Sequence, residues 1–95
     1  MNGLELGKLF QDMVDEDIID KVNTDRGSDA FGKYRILNVY FKKALRFAVI
    51  DIDGNMIPFD CDEIEYSSRG LIEFISNNSL YLSRSIDEIE NIWWN

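Results

Sequence analysis

The residues best placed to do chemistry in this chain are carboxylates. Asp51, Asp53, Asn55 and Asp62 fall at positions 1, 3, 5 and 12 of a calcium-binding loop. Such a loop needs glycine at its sixth position for a sharp turn, and Met56 stands there, with Gly54 two places early and Pro58 interrupting the second half of the loop. Cys61 is the only cysteine, and there is no histidine. One thiol forms no internal disulfide and no zinc site, and between Asp60 and Asp62 it is held protonated with no imidazole to activate it. Paired carboxylates can also hydrolyse glycosides, but that chemistry depends on a separation across a cleft, for which a chain of 95 residues has little room. No catalytic residue, metal ligand or cofactor is therefore expected, and the chain is read as a non-enzyme.

The run Phe47-Ala48-Val49-Ile50-Asp51-Ile52-Asp53-Gly54-Asn55 resembles the first motif of haloacid-dehalogenase-type phosphatases, an apolar strand ending in Asp-x-Asp-Gly. The resemblance would imply Asp51 as phosphoryl-accepting nucleophile, Asp53 as general acid, and a magnesium ion between them and the phosphate. It covers about nine residues. The family also needs a later lysine to balance phosphate charge, and none follows Lys43. Its fold is a parallel sheet larger than this chain can supply. Ordinary hairpin chemistry explains the same residues, an apolar strand followed by an Asp-Gly turn.

Eighteen acids against ten bases give a net charge of −8, which repels nucleic acid and anionic lipid and favours basic surfaces. Two acidic clusters stand out: Asp15, Glu16, Asp17 and Asp20, then Asp60, Asp62, Glu63 and Glu65. Folded side by side, they would present a row of carboxylates to a basic groove. Trp93-Trp94 adds an aromatic anchor. On a helix the two rings point about 100° apart, so one is expected to be buried and the other, taken as Trp94, exposed to a partner.

The charge is uneven. Arg26 to Arg46 holds six bases and one acid, a local +5 that leaves −13 elsewhere. Lys33, Arg35, Lys42, Lys43 and Arg46 alternate there with Tyr34, Tyr40 and Phe41, the mixture with which a sheet stacks bases and tracks phosphates. A nucleic-acid-binding module using Lys33, Arg35, Tyr40, Lys42, Lys43 and Arg46 is the alternative reading.

These residues need elements to position them. Leu6, Phe10, Val14, Ile18 and Val22 recur every four places and predict an amphipathic helix over 4–22. Residues 23–32 collect turn formers and read as a loop. Residues 33–41 and 45–52 are rich in β-branched and aromatic side chains and read as two strands, although Leu37, Phe41, Leu45 and Ala48 also suit a helix. Asp53-Gly54 predicts a tight type I′ turn into a third strand, which Pro58 should confine to a sheet edge or a bulge. Leu71 to Ile75, between Ser67-Ser68 and Asn77-Asn78, reads as a short helix, and Ser79 to Ser83 as a short fourth strand. Ser85 and Glu88 have capping-box spacing and predict a final helix.

The expected protein is one α+β domain over residues 1–95: a small antiparallel β-meander of about three strands, with a short fourth, an N-terminal helix and two C-terminal helices. Met1 to Gly7 lacks the features of a secretory signal, and no apolar run approaches the ~20 residues of a membrane helix, so a cytoplasmic protein without a membrane partner is expected. The functional expectation is a small acidic regulator or inhibitor that binds a protein with a basic surface. In size and charge it is comparable to phage-encoded antagonists of nucleic-acid-binding host or defence proteins.

Overall fold

The computed structural model describes residues 1–95 and shows an α+β protein in which one helix packs on a six-stranded antiparallel sheet. The helix α1 covers Gly3–Asp15 and begins where the Asn2 side chain accepts a hydrogen bond from the Glu5 amide at 2.9 Å. It stops before the predicted end. Asp17 adopts a left-handed conformation (φ 58°), and the Ile18 amide donates back to the Met13 carbonyl at 3.3 Å. Ile18 and Val22, which extend the fourfold spacing in the sequence, belong to the chain that leads into and forms β1.

Strands β1 (Ile19–Asp29), β2 (Gly32–Asp51), β3 (Met56–Ser67), β4 (Leu71–Ser76) and β5 (Ser79–Ser85) lie in sequence order, and β6 (Ile89–Trp94) returns to pair with β2. Residues 23–32, expected as a loop, mostly form the outer strand of a long β1–β2 hairpin. The Asn, Thr, Asp and Ser side chains there tolerate an exposed edge strand, where little is buried.

The two strands expected over 33–52 are one strand, bent in the middle. Tyr40 pairs with Glu63 and Leu45 with Cys61, so Phe41, Lys42, Lys43 and Ala44 all face the single residue Asp62. The extra residues form a bulge that bends β2 and lets one edge of it serve β1 above the bend and β6 below it.

The turn after β2 is not type I′, which needs two residues with positive φ, because only Gly54 (φ 83°) has one. The Asp51 carboxylate organises it, accepting from the amides of Asp53 (3.0 Å) and Asn55 (2.9 Å). Type I′ conformation appears instead at Asn77-Asn78 (φ 52° and 63°), the two-residue link between β4 and β5. Pro58 pairs with Ala48 at a level that β4 does not reach, so β3 is locally an edge there.

Neither C-terminal helix forms. Leu71 to Ile75 is β4, with Ile72 and Phe74 buried and their neighbours more exposed, which is a period of two. The capping-box pair survives as a bond from the Ser85 amide to Glu88 Oε1 at 3.2 Å, but it starts only one 3-10 turn (Ile86–Glu88) before β6. Ile89, Ile92 and Trp94 then have β partners on Asp51, Val49 and Phe47.

The core lies between α1 and the inner face of the sheet. Val39, Ile64, Phe74 and Leu82 form one fully inward row across β2 to β5. Phe47 is the hub: its ring lies 5.5–6.5 Å from those of Phe41, Phe59, Phe74 and Trp94. Leu6 and Met13 of α1 close the core from above. No helix is long and apolar enough to cross a membrane.

Candidate functional site

The acidic residues nominated from sequence do not merge into one row. In the first cluster, Asp17 is paired with Lys42 (2.9 Å), and Glu16 accepts a 2.6 Å hydrogen bond from Trp94 Nε1. Asp15 accepts from the Gln11 side-chain amide, and Asp20 lies at the irregular start of β1. In the second, Asp60 lies 3.5 Å from Arg46, and Asp62 accepts from the Asn77 amide at 3.0 Å. Four of these carboxylates are thus bonded within the protein itself to a base, an indole or the Asn77 amide.

Glu63 and Glu65 are placed differently. They lie on the outer face of β3, where a polar row crosses the sheet: Asn23, Asn38, Glu65, Glu73 and Ser83 are successive cross-strand neighbours. Lys21, Tyr40, Glu63, Ile75 and Leu80 form the next row. Glu65 and Glu73 therefore stand directly opposite each other, with Glu63 two residues along the same face. Asn38 Nδ2 donates to Glu63 at 3.0 Å, and no base is paired with any of the three. Sequence reasoning misses Glu73, because a helix over Leu71 to Ile75 gives it no partner on β3.

Glu65 and Glu73 line a cleft of about 270 Å³ together with Ile36, Leu71, Tyr34 and Arg69. Arg69 is already engaged. It pairs with Asp29, donates to the Gly32 carbonyl at 2.9 Å and stacks 4.6 Å from the Tyr34 ring centroid. Gly27 makes room for that ring, since a Cβ there would overlap the Tyr34 side chain.

The chain matches no family model, curated protein or solved structure.

Partial burial pushes the Glu65 carboxyl above its ordinary pKa, and the charges of Glu73 and Glu63 push it further. A carboxyl raised on folding holds its proton better in the folded state, so its contribution to stability is full below the unfolded pKa and is lost as pH rises through the folded one. Glu65→Gln should therefore raise the thermal midpoint at neutral pH and leave it nearly unchanged in acid, a difference that calorimetry across pH reads directly. Asp51 and Asp29 act in the opposite sense. Hydrogen bonds from Asn55, and from Arg69 and the Phe31 amide, hold their carboxyls below the ordinary value, and that contribution is lost as pH falls.

The basic segment is divided by the bend. Lys33 and Arg35 lie on the β1–β2 hairpin, Lys42 and Lys43 in the bulge, and Arg46 beyond it against Asp60. Tyr40 has the Lys21 ammonium 4.8 Å from its ring centroid. The six residues do not line one strip.

Trp94 is the half-buried indole of the pair, against Phe47, while Trp93 is the exposed one at 48%. Strand alternation, rather than a helical angle, separates them.

The other nominated chemistry is not assembled. Cys61 is fully buried, its thiol pushed up to about 11, chiefly by burial. The Asp51 carboxylate is occupied by its turn, Asp62 bonds elsewhere, and no group of three acidic or thiol ligands converges on a metal position. The antiparallel sheet also differs from the parallel one that the phosphatase resemblance implies.

Proposed function

We propose that this chain is a non-enzymatic binding protein that docks a basic partner protein on the outer face of β3 and β4, and so masks that partner's cationic surface. The observation that carries the reading is the register of Glu65 directly opposite Glu73, with Glu63 beside them and no protein base paired to any of the three. Like charges placed opposite each other in a sheet are destabilising. A lysine or arginine entering the cleft relieves that repulsion, and Ile36 and Leu71 offer apolar walls to its methylenes. The net charge of −8 speeds the encounter with such a surface. A nucleic-acid-binding protein is the partner class whose surface fits, which makes the chain an antagonist of that protein.

The test is capture of partner from lysate treated with nuclease, using the wild type, the reversal Glu63→Lys/Glu65→Lys/Glu73→Lys, and an Asp12→Lys control on α1. The expected result is one stoichiometric protein retained by wild type and control and lost with the triple reversal, whose association with the purified wild type slows steeply as salt rises. Equal capture by the triple variant, or recovery abolished by nuclease, overturns the reading.

A further inference from the structure

The β1–β2 hairpin extends past the level where β3 stops pairing, at Ile36 and Ser67, and its inward face past the core is basic. Thr24 is opposite Leu37, Arg26 opposite Arg35, and Ser28 opposite Lys33, so all six side chains share that face. Leu37 and its other neighbour Tyr66 form the floor, and Ser68 the near wall. The cleft is open to solvent and has a volume of about 500 Å³.

The two arginines are the unusual feature. Arg46, Arg69 and Arg84 each donate to a protein oxygen. Arg26 and Arg35 donate their side chains to none, although the chain carries eighteen acids. They are direct cross-strand partners, a repulsive arrangement in the empty protein. Lys33 on the same face is likewise unpaired. Asp25, the one acid at the cleft, turns its carboxylate to the Arg26 amide at 2.7 Å. The Ser68 hydroxyl accepts from the Arg35 amide at 2.9 Å, which leaves its own proton free to donate.

We infer that this cleft binds a small phosphate-bearing molecule, with the phosphate between the Arg26 and Arg35 guanidiniums and an apolar or aromatic portion over Leu37 and Tyr66. Two guanidinium forks and a hydroxyl satisfy a tetrahedral oxyanion, for which arginine is the best-suited side chain. A small ligand fits better than a nucleic acid. Each further phosphate of a polymer would extend beyond three cations into the field of a chain with net charge −8. The site is on the inner side of the hairpin and independent of the acidic outer face, so either can fail without the other.

The experiment is an NMR titration of the full chain with inorganic phosphate, with phenyl phosphate and with a single-stranded oligonucleotide, repeated for Arg26→Gln and Arg35→Gln. Saturable shifts are expected at the amides of Thr24, Arg26, Arg35, Leu37 and Ser68, with phenyl phosphate bound more tightly than inorganic phosphate. Each substitution should weaken phenyl phosphate about tenfold or more, the loss of a charge-assisted hydrogen bond. Both side chains are on exposed residues, so the ligand-free thermal midpoint should hold or rise. Absence of saturable shifts, shifts unaffected by both substitutions, or an oligonucleotide that binds more tightly than phenyl phosphate would overturn the inference.

Discussion

Replacing Phe47 by alanine is expected to cost about 3–5 kcal/mol, the range for truncating a buried aromatic side chain. Phe47 is 1% exposed, and its ring touches the packing of three strands and both halves of β2 through Phe41, Phe59, Phe74 and Trp94. Its neighbours are held by sheet register and cannot close over the space. A typical domain has only about 5–15 kcal/mol of net stability, so the variant should unfold at a much lower urea concentration or fail to fold at physiological temperature. Phe47→Leu retains much of the volume and should cost far less. Equal midpoints for Phe47→Ala and wild type would show that the aromatic cluster is not the centre of the core.

The second large effect concerns the helix. Leu6→Asp should destabilise by about 3 kcal/mol or more, because the carboxylate would lie in an apolar interior with no partner. Leu6 is 1% exposed, and no buried polar side chain surrounds it. Leu4→Asp, two residues earlier, is the control. Leu4 is 72% exposed, and a surface substitution should shift stability by no more than about 0.5 kcal/mol. Chemical denaturation of the pair separates a helix that lids the core from one that lies loosely on it. In the first case only Leu6→Asp moves the midpoint.

The N-terminal helix is legible in kind but shorter than its apolar spacing implies. Fourfold spacing reports which residues share a face, but it is blind to the left-handed turn at Asp17 that changes the element while Ile18 keeps the spacing. The β2–β3 hairpin, the short β5 and the edge position of Pro58 follow from local chemistry and are present. The first of the two expected C-terminal helices fails for a specific reason. Leu71-Ile72-Glu73-Phe74-Ile75 is too short for a periodicity of 3.6 to be told from one of two, and the flanking Ser and Asn residues serve a helix cap and a hairpin turn equally well. The β-branched and aromatic content favours a strand.

That ambiguity hides half of the candidate site. Glu65 and Glu73 meet only because β3 and β4 are antiparallel neighbours, so a reading that makes 71–75 a helix cannot bring them together. Arg26 and Arg35 are separated in the same way when one is assigned to a loop and the other to a strand. Composition shows the acidic excess and the local basic run. Register, which composition does not contain, decides which charges face each other.

The return of β6 to β2 sets the order in which the molecule can assemble. The hairpins β1–β2, β2–β3, β3–β4 and β4–β5 each join neighbours along the chain and can zip in succession at low loop-closure entropy. The pairing of Ile89–Trp94 with Phe47 to Asp51 spans all of β3, β4 and β5 and is favourable only once those strands are formed. Until it closes, the lower edge of β2 is unpaired beside the side chain at the core's centre. An open strand edge of that kind invites intermolecular pairing, and in the folded chain β6 covers it, with the Trp94 indole bonded to Glu16 at the end of α1.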